Sequence, residues 1–232
     1  MKKSNLFRLG MLVALLTFGL VLTGCDNGDD GGGGDNNPFL GTWTGTATDP
    51  SGDSAQAIAV FTQNEWTVLI PLARISENGT YTHSGNTATV FINGDNVGTS
   101  TISGGTLVAS VRGLGTATLT KRNPSLLTVN RWTNGAITAN TDFITYSFNA
   151  VNGTTYYIWT NDGYDGDGSK TLDTIFWVFD DNERYGYGDD HWETPFVFTA
   201  SSNGRVSIVV CAYSPPQTGT FAIAYSTSRT RP

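Results

Sequence analysis

Histidine, cysteine and methionine each occur only twice in these 232 residues, and proline eight times. Lysine and arginine together number thirteen against twenty acidic side chains, for a net charge of −7. So acidic a chain is repelled by phosphate backbones and anionic headgroups, which argues against nucleic acid as a partner. No uncharged apolar run reaches the roughly 20 residues that a membrane-spanning helix needs. Helical periodicity is missing everywhere after residue 38. Two histidines, His83 and His191, leave a thin supply of general acids, bases and metal ligands. What the chain does have is 28 glycines among runs of Thr, Val, Ile and aromatic residues.

The first forty residues have their own logic. Lys2, Lys3 and Arg8 precede an uncharged stretch from Leu9 to Leu22, the length of a signal-peptide core. It ends Leu22-Thr23-Gly24-Cys25, which resembles the lipobox of bacterial lipoproteins. That resemblance implies cleavage after residue 24 and acylation of Cys25, with attachment to a membrane through lipid. With Lys2, Lys3 and Arg8 removed, ten basic residues face twenty acidic ones, and the net charge becomes −10. Cys211 is then the only thiol left, so no internal disulfide is expected. Residues 26–37 are only Asp, Asn and Gly. They have nothing apolar to bury against the entropy of ordering and read as a flexible tether of about 19 Å reach. Asp26 resembles the inner-membrane retention signal of enteric lipoproteins, a rule that varies between bacterial groups. The periplasmic side and the cell surface therefore both stay open.

The rest is expected to be all-β: a small eight-stranded meander barrel over 38–122, then a jelly-roll-like β-sandwich over 125–232. Eight short runs read as strands: Gly41–Ala47, Ala55–Thr62, Trp66–Ile70, Gly79–His83, Thr87–Ile92, Val97–Ile102, Thr106–Val111 and Thr116–Thr120. Ser84-Gly85-Asn86, Asn93-Gly94-Asp95-Asn96, Ser103-Gly104-Gly105 and Gly113-Leu114-Gly115 join them. Hairpin turns that need φ > 0 favour such residues, and eight meandering strands can close into a barrel with no edge. Val60, Val68, Leu69, Val90 and Leu107 are expected to fill it. The opening Gly41-Thr42-Trp43 resembles the Gly-x-Trp start of lipocalin-like barrels, which implies that Trp43 closes one end. Such a barrel either holds a small apolar ligand or is filled by its own side chains. Asn123-Pro124 marks the division, and a cut there is expected to leave two folded pieces.

The second segment resembles the bacterial pre-peptidase C-terminal domain. Asp142-Phe143-Ile144-Thr145-Tyr146-Ser147-Phe148, Gly153-Thr154-Thr155-Tyr156-Tyr157-Ile158, Asp189-Asp190, Gly204-Arg205-Val206 and Gly219-Thr220-Phe221 carry the likeness in order. Its ending is also similar to that of spirochaete lipoproteins carrying this domain. Alternation supports a sandwich independently. Ile144, Tyr146 and Phe148 share a face, as do Val206, Ile208 and Val210, and Phe221, Ile223 and Tyr225. Trp159 and Trp177, inside strand-like runs, are expected in the core.

No catalytic constellation emerges. A Cys/His/Asp arrangement of Cys211 with His191 of Asp189-Asp190-His191-Trp192-Glu193 would need a reactive thiol, yet Cys211 lies in the apolar run Ile208–Ala212, where a buried and inert thiol is the expectation. His83 reads as solvent-facing, and Asp180-Asp181-Glu183 as a solvated turn. The chain is therefore expected to be non-catalytic, either a binding module for glycan, protein or peptide or a structural spacer. Tyr164, Tyr185, Tyr187 and Trp192 stand among Gly and Asp and are the candidate ligand contacts. The run TNDGYDGDGSKTLD, residues 160–173, reads two ways. Asp162, Asp165, Asp167 and Asp173 can supply carboxylates for Ca2+, a reading helped by the calcium binding of some pre-peptidase C-terminal domains. Asp-Gly pairs also make polar turns with no ion present.

Overall fold

Two glycine-containing turns show how local sequence shapes the first body. Asn93 and Gly94 have φ of 52° and 86°, and Gly104 and Gly105 have 56° and 79°. Paired positive values belong to the type I′ hairpin, whose twist matches its flanking strands. The strands so joined are β1 (Gly41–Thr48), β2 (Ser54–Phe61), β3 (Glu65–Ile70), β4 (Ile75–Ser84), β5 (Thr87–Ile92), β6 (Asp95–Ser103), β7 (Thr106–Val111) and β8 (Gly115–Lys121). Each pairs antiparallel with the next, and β8 returns to β1, so the sheet closes. The computed structural model describes residues 37–232 except Arg74, Asn140, Thr141 and Asp190, and Asn37–Pro232 form one compact unit. The signal peptide, Cys25 and the tether as far as Asn36 lie outside the described residues. Asn37, assigned to the tether, is instead buried, with its amide donating to the Tyr81 hydroxyl at 2.6 Å.

Small residues let so narrow a barrel close. Ala47, Ala57, Ala59, Ala109 and Ala117 face inward beside Phe61, Trp66, Val68, Val90 and Leu107. About 40 Å³ remains inside, too little for a ligand. Trp43 is buried, donates from Nε1 to the Phe39 carbonyl at 2.7 Å, and lies beneath the Lys121 ammonium. Outward, hydroxyls line up across strands: Thr82, Thr89, Thr99, Ser110, Thr116 and Thr48 are successive register partners. β-Branched polar side chains suit such a solvated pleat.

Val60 and Leu69 do not fill the barrel as expected. They point outward with Ile58 and pack on Phe179, Val209 and Cys211 of the second body. The reason is parity: Ala57, Ala59 and Phe61 take the inward positions of β2, and alternation sends Ile58 and Val60 the other way.

That second body is built from β9 (Ser125–Leu126), β10 (Thr133–Ile137), β11 (Phe143–Ala150), β12 (Thr155–Asn161), β13 (Thr174–Phe179), β14 (Arg184–Asp189), β15 (Phe196–Thr199), β16 (Gly204–Ala212) and β17 (Gly219–Ser226). One sheet runs β10-β17-β12-β15 and the other β14-β13-β16-β11-β9. Leaving β9 aside, this interleaving of eight strands in two sheets is the jelly-roll order. Between the sheets lie Tyr146, Phe148, Phe176, Val178, Ile208 and Val210 from one side, with Tyr156, Ile158, Phe198, Phe221 and Ile223 from the other. No α-helix occurs among the described residues.

The two strand tryptophans lie outside that core. Trp177 packs on the cluster facing the barrel, because it alternates with the inward Phe176 and Val178. Trp159 lies on the outer side of the four-stranded sheet, since Ile158 points in. It is nonetheless buried, with Nε1 3.4 Å from the Ser226 hydroxyl.

Candidate functional site

Asp162 follows the last residue of β12, and its carboxylate is only 1% exposed. Oδ1 accepts from the backbone N–H of Tyr164 at 3.0 Å and of Asp165 at 3.3 Å. Oδ2 accepts from the Thr174 N–H at 3.0 Å and from its hydroxyl at 2.8 Å. One buried carboxylate thus ties both ends of the loop to the sheet, while Asn161 Oδ1 accepts from the Asp167 N–H at 3.1 Å. Pinned from inside, the loop holds Tyr164 outward at 72% exposure.

Beside it lies an aromatic stack. Trp132 and Trp192 have ring centroids 5.7 Å apart, and the Arg231 guanidinium lies 3.8 Å from the Trp192 ring. A cation over an indole face is attracted by the ring quadrupole. The Trp192 N–H donates to Asp165 Oδ2 at 2.9 Å, and Trp132 Nε1 donates to the Pro232 carbonyl at 2.8 Å. On the far side, Lys170 Nζ donates to Asn134 Oδ1 at 2.7 Å. Loop 160–173, the 191–192 segment, the approach to β10 and the C-terminal residues therefore meet in one patch. Trp132 and Arg231 were not among the candidates. Trp132 meets the same criterion as Tyr164, an aromatic among polar residues in Asn130-Arg131-Trp132-Thr133-Asn134. Arg231 has no local signal, because its partner is 39 residues away.

Tyr185 and Tyr187 part company. The Tyr185 ring packs on Phe198 at 4.4 Å, and its hydroxyl donates to Asp180 Oδ2 and accepts from the Ser201 N–H at 2.7 Å. Tyr187 is 62% exposed, and among the described residues no ring contact joins it to the tryptophan stack. Asp180 is a second buried hub, accepting also from the N–H groups of Asn182 and Glu183 and from the hydroxyls of Ser201 and Ser202. Burial, then the bond to Asp180, pushes the Tyr185 hydroxyl up to about 12, and burial does the same for Tyr146. Folding then holds a proton that the unfolded chain releases from about pH 10. Stability from both tyrosines is complete below pH 10 and lost between pH 10 and about 12. Alkaline unfolding monitored by circular dichroism should start at higher pH in Tyr146→Phe, whereas an unchanged profile would contradict the assignment.

Three of the four loop aspartates are engaged separately. Asp162 turns inward, Asp165 holds Trp192, and Asp167 Oδ1 accepts from the Ser169 N–H at 2.8 Å, while the backbone carbonyl of Asp173 accepts from the Tyr213 N–H at 2.9 Å. Among the described residues no three Asp, Glu, His or Cys side chains gather as a metal ion requires. A loop that serves as a polar turn predicts a thermal midpoint unchanged by millimolar calcium or by chelator. A rise with calcium would place an ion there, by mass action on the folded state.

Other candidate chemistry is dispersed. His83 is exposed near Phe39 and Tyr81. The His191 ring packs on Phe176 and Phe196, which point to the sandwich core, whereas Cys211 faces the barrel from the other side of that sheet. Burial, then the charge of Asp142, pushes the Cys211 thiol far above its ordinary value, so little thiolate forms.

No family model matches the chain, and no curated protein does. Among solved structures, the pre-peptidase C-terminal domain of a Bacillus anthracis collagenase is 16% identical, with a TM-score of 0.35 over 45% of this chain and 95% of that one. A periplasmic inhibitor of g-type lysozyme from Aeromonas hydrophila is 16% identical, with a TM-score of 0.31 over 44% of this chain and 99% of its own. The Salmonella Typhimurium inhibitor is 13% identical, with a TM-score of 0.32 over 45% and 99%. Likenesses this slight assign the chain to no family.

Proposed function

We propose that the chain is an exported lipoprotein, held at a bacterial membrane by lipid on Cys25, that acts as a non-catalytic binding module for a glycan, protein or peptide. The observation that carries this reading is Tyr164, held at 72% exposure beside the Trp132–Trp192–Arg231 stack by a loop fastened from within. Large rings at fixed positions bind at low entropic cost. The barrel, with about 40 Å³ inside and a hydroxyl-lined wall, fits the role of a spacer between tether and sandwich. Calcium has no part in this reading.

Two measurements test it. On a glycan and protein array, Tyr164→Ala should lose the wild-type signal with its melting temperature unchanged, while Trp192→Ala loses both signal and stability. Absence of any wild-type ligand would favour a purely structural lipoprotein. In fractionated cells, Cys25→Ala should move the protein from the membrane to the soluble fraction, and a soluble wild type would overturn the anchor. Protease shaving of intact cells then distinguishes periplasmic side from cell surface.

A further inference from the structure

We propose a second binding site in the cleft between barrel and sandwich, one that takes an acidic sugar residue. It rests on the binding-module reading only in taking a glycan, one of the ligand classes of that reading, as its own. The cleft measures about 340 Å³, within the range of small-ligand sites. Both bodies build it: Thr44, Gln56 and Arg122 come from the barrel side, Asn123 and Ser125 from the linker, and Phe143 from β11.

Arg122 gives the charge preference. Its backbone N–H donates to the Thr42 carbonyl at 2.8 Å and its Nε to Thr44 Oγ1 at 2.9 Å, so the side chain is anchored at its stem. Among the described residues no carboxylate pairs with it, although acidic side chains outnumber basic ones twenty to thirteen. The remaining N–H groups of a guanidinium form a planar fork that matches a carboxylate. Asn123 and Ser125 add neutral donors and acceptors suited to sugar hydroxyls, while Gln56 Oε1 accepts from the Asp142 N–H at 3.4 Å. Phe143 packs against the Ile58, Val60 and Val209 cluster, so its ring is fixed and offers an apolar surface to the C–H face of a pyranose. A single arginine in an acidic chain is poorly matched to a phosphodiester polymer.

The test is isothermal titration of the full chain with digalacturonate, using neutral galactobiose as control. The acid should bind, with galactobiose at least about tenfold weaker, as expected for a charge-assisted fork. Arg122→Ala should weaken the acid by about tenfold or more and leave galactobiose unchanged. Asn123→Ala should weaken both, with circular dichroism showing each variant folded. The proposal falls if folded wild type does not bind digalacturonate, if acid and neutral bind equally, or if Arg122→Ala binds the acid as wild type does. An array ligand that depends on Tyr164, with no digalacturonate binding, would remove the cleft and leave the binding-module reading standing.

Discussion

Replacing Asp162 by alanine should cost about 3–5 kcal/mol of folding stability, the scale at which a buried charged acceptor leaves its donors unpaired. Four donors converge on that carboxylate, and Thr174, which supplies two of them, is fully buried. Water cannot readily replace the lost acceptor for those two donors, so their desolvation is uncompensated. Asp162→Asn separates charge from shape. One amide oxygen still accepts on one side, but the NH2 group must face donors on the other. It should cost about 2 kcal/mol, between wild type and alanine. Urea unfolding of the full chain measures both. A loss below about 1 kcal/mol for the alanine variant would mean that Asp162 does not hold the loop. Asp167→Ala is the contrasting case, because its exposed carboxylate spans only a local turn and should change stability little.

The same loop shows where the sequence was readable and where it stopped. Clustered Asp and Gly between two aromatic runs marked a loop, and a loop is there. Composition did not distinguish the aspartate turned inward from the one left in water, because burial of Asp162 depends on Thr174, twelve residues on, across the turn into β13. Tyr185 and Tyr187 failed for a different reason. Alternation puts both on one face, but the pairing of β13 with β14 shifts between Val178 and Phe179, and Gly186 has φ of 133°. That bulge turns Tyr185 onto Phe198 and Tyr187 to solvent, and a bulge has little periodic signature. Strand limits were legible at two of the strands that such turns bound: the run Thr87–Ile92 and the run Thr106–Val111 are β5 and β7 residue for residue, whereas β6, expected over Val97–Ile102, runs Asp95–Ser103.

One further signal was present and went unread. β2 reads Ser-Ala-Gln-Ala-Ile-Ala-Val-Phe, and its last five residues are all apolar and buried. A strand with water on one face alternates, whereas one covered on both faces does not. The β16 stretch Val206–Ala212 has the same continuity apart from Ser207. These two strands supply Ile58, Val60, Val209 and Cys211, the side chains where barrel and sandwich meet. Ile58→Asp should therefore cost about 4 kcal/mol, since it places an unpaired charge among fully buried side chains. The site of damage is specific. Ile58 points away from the barrel interior, so the barrel can close and the sandwich core stays filled. What fails is their docking. Wild type should unfold in one transition, with tryptophan fluorescence and far-ultraviolet circular dichroism coincident. Ile58→Asp should separate into two transitions, one for each body, and Val209→Asp should do the same from the sandwich side. Ile58→Val, which keeps the contact apolar, should cost about 1 kcal/mol and stay in one transition. A single coincident transition in Ile58→Asp with a loss near that of valine would show that the two bodies do not depend on this cluster. Two transitions already present in wild type would mean that the bodies fold independently, as a cut at Asn123-Pro124 would then also reveal.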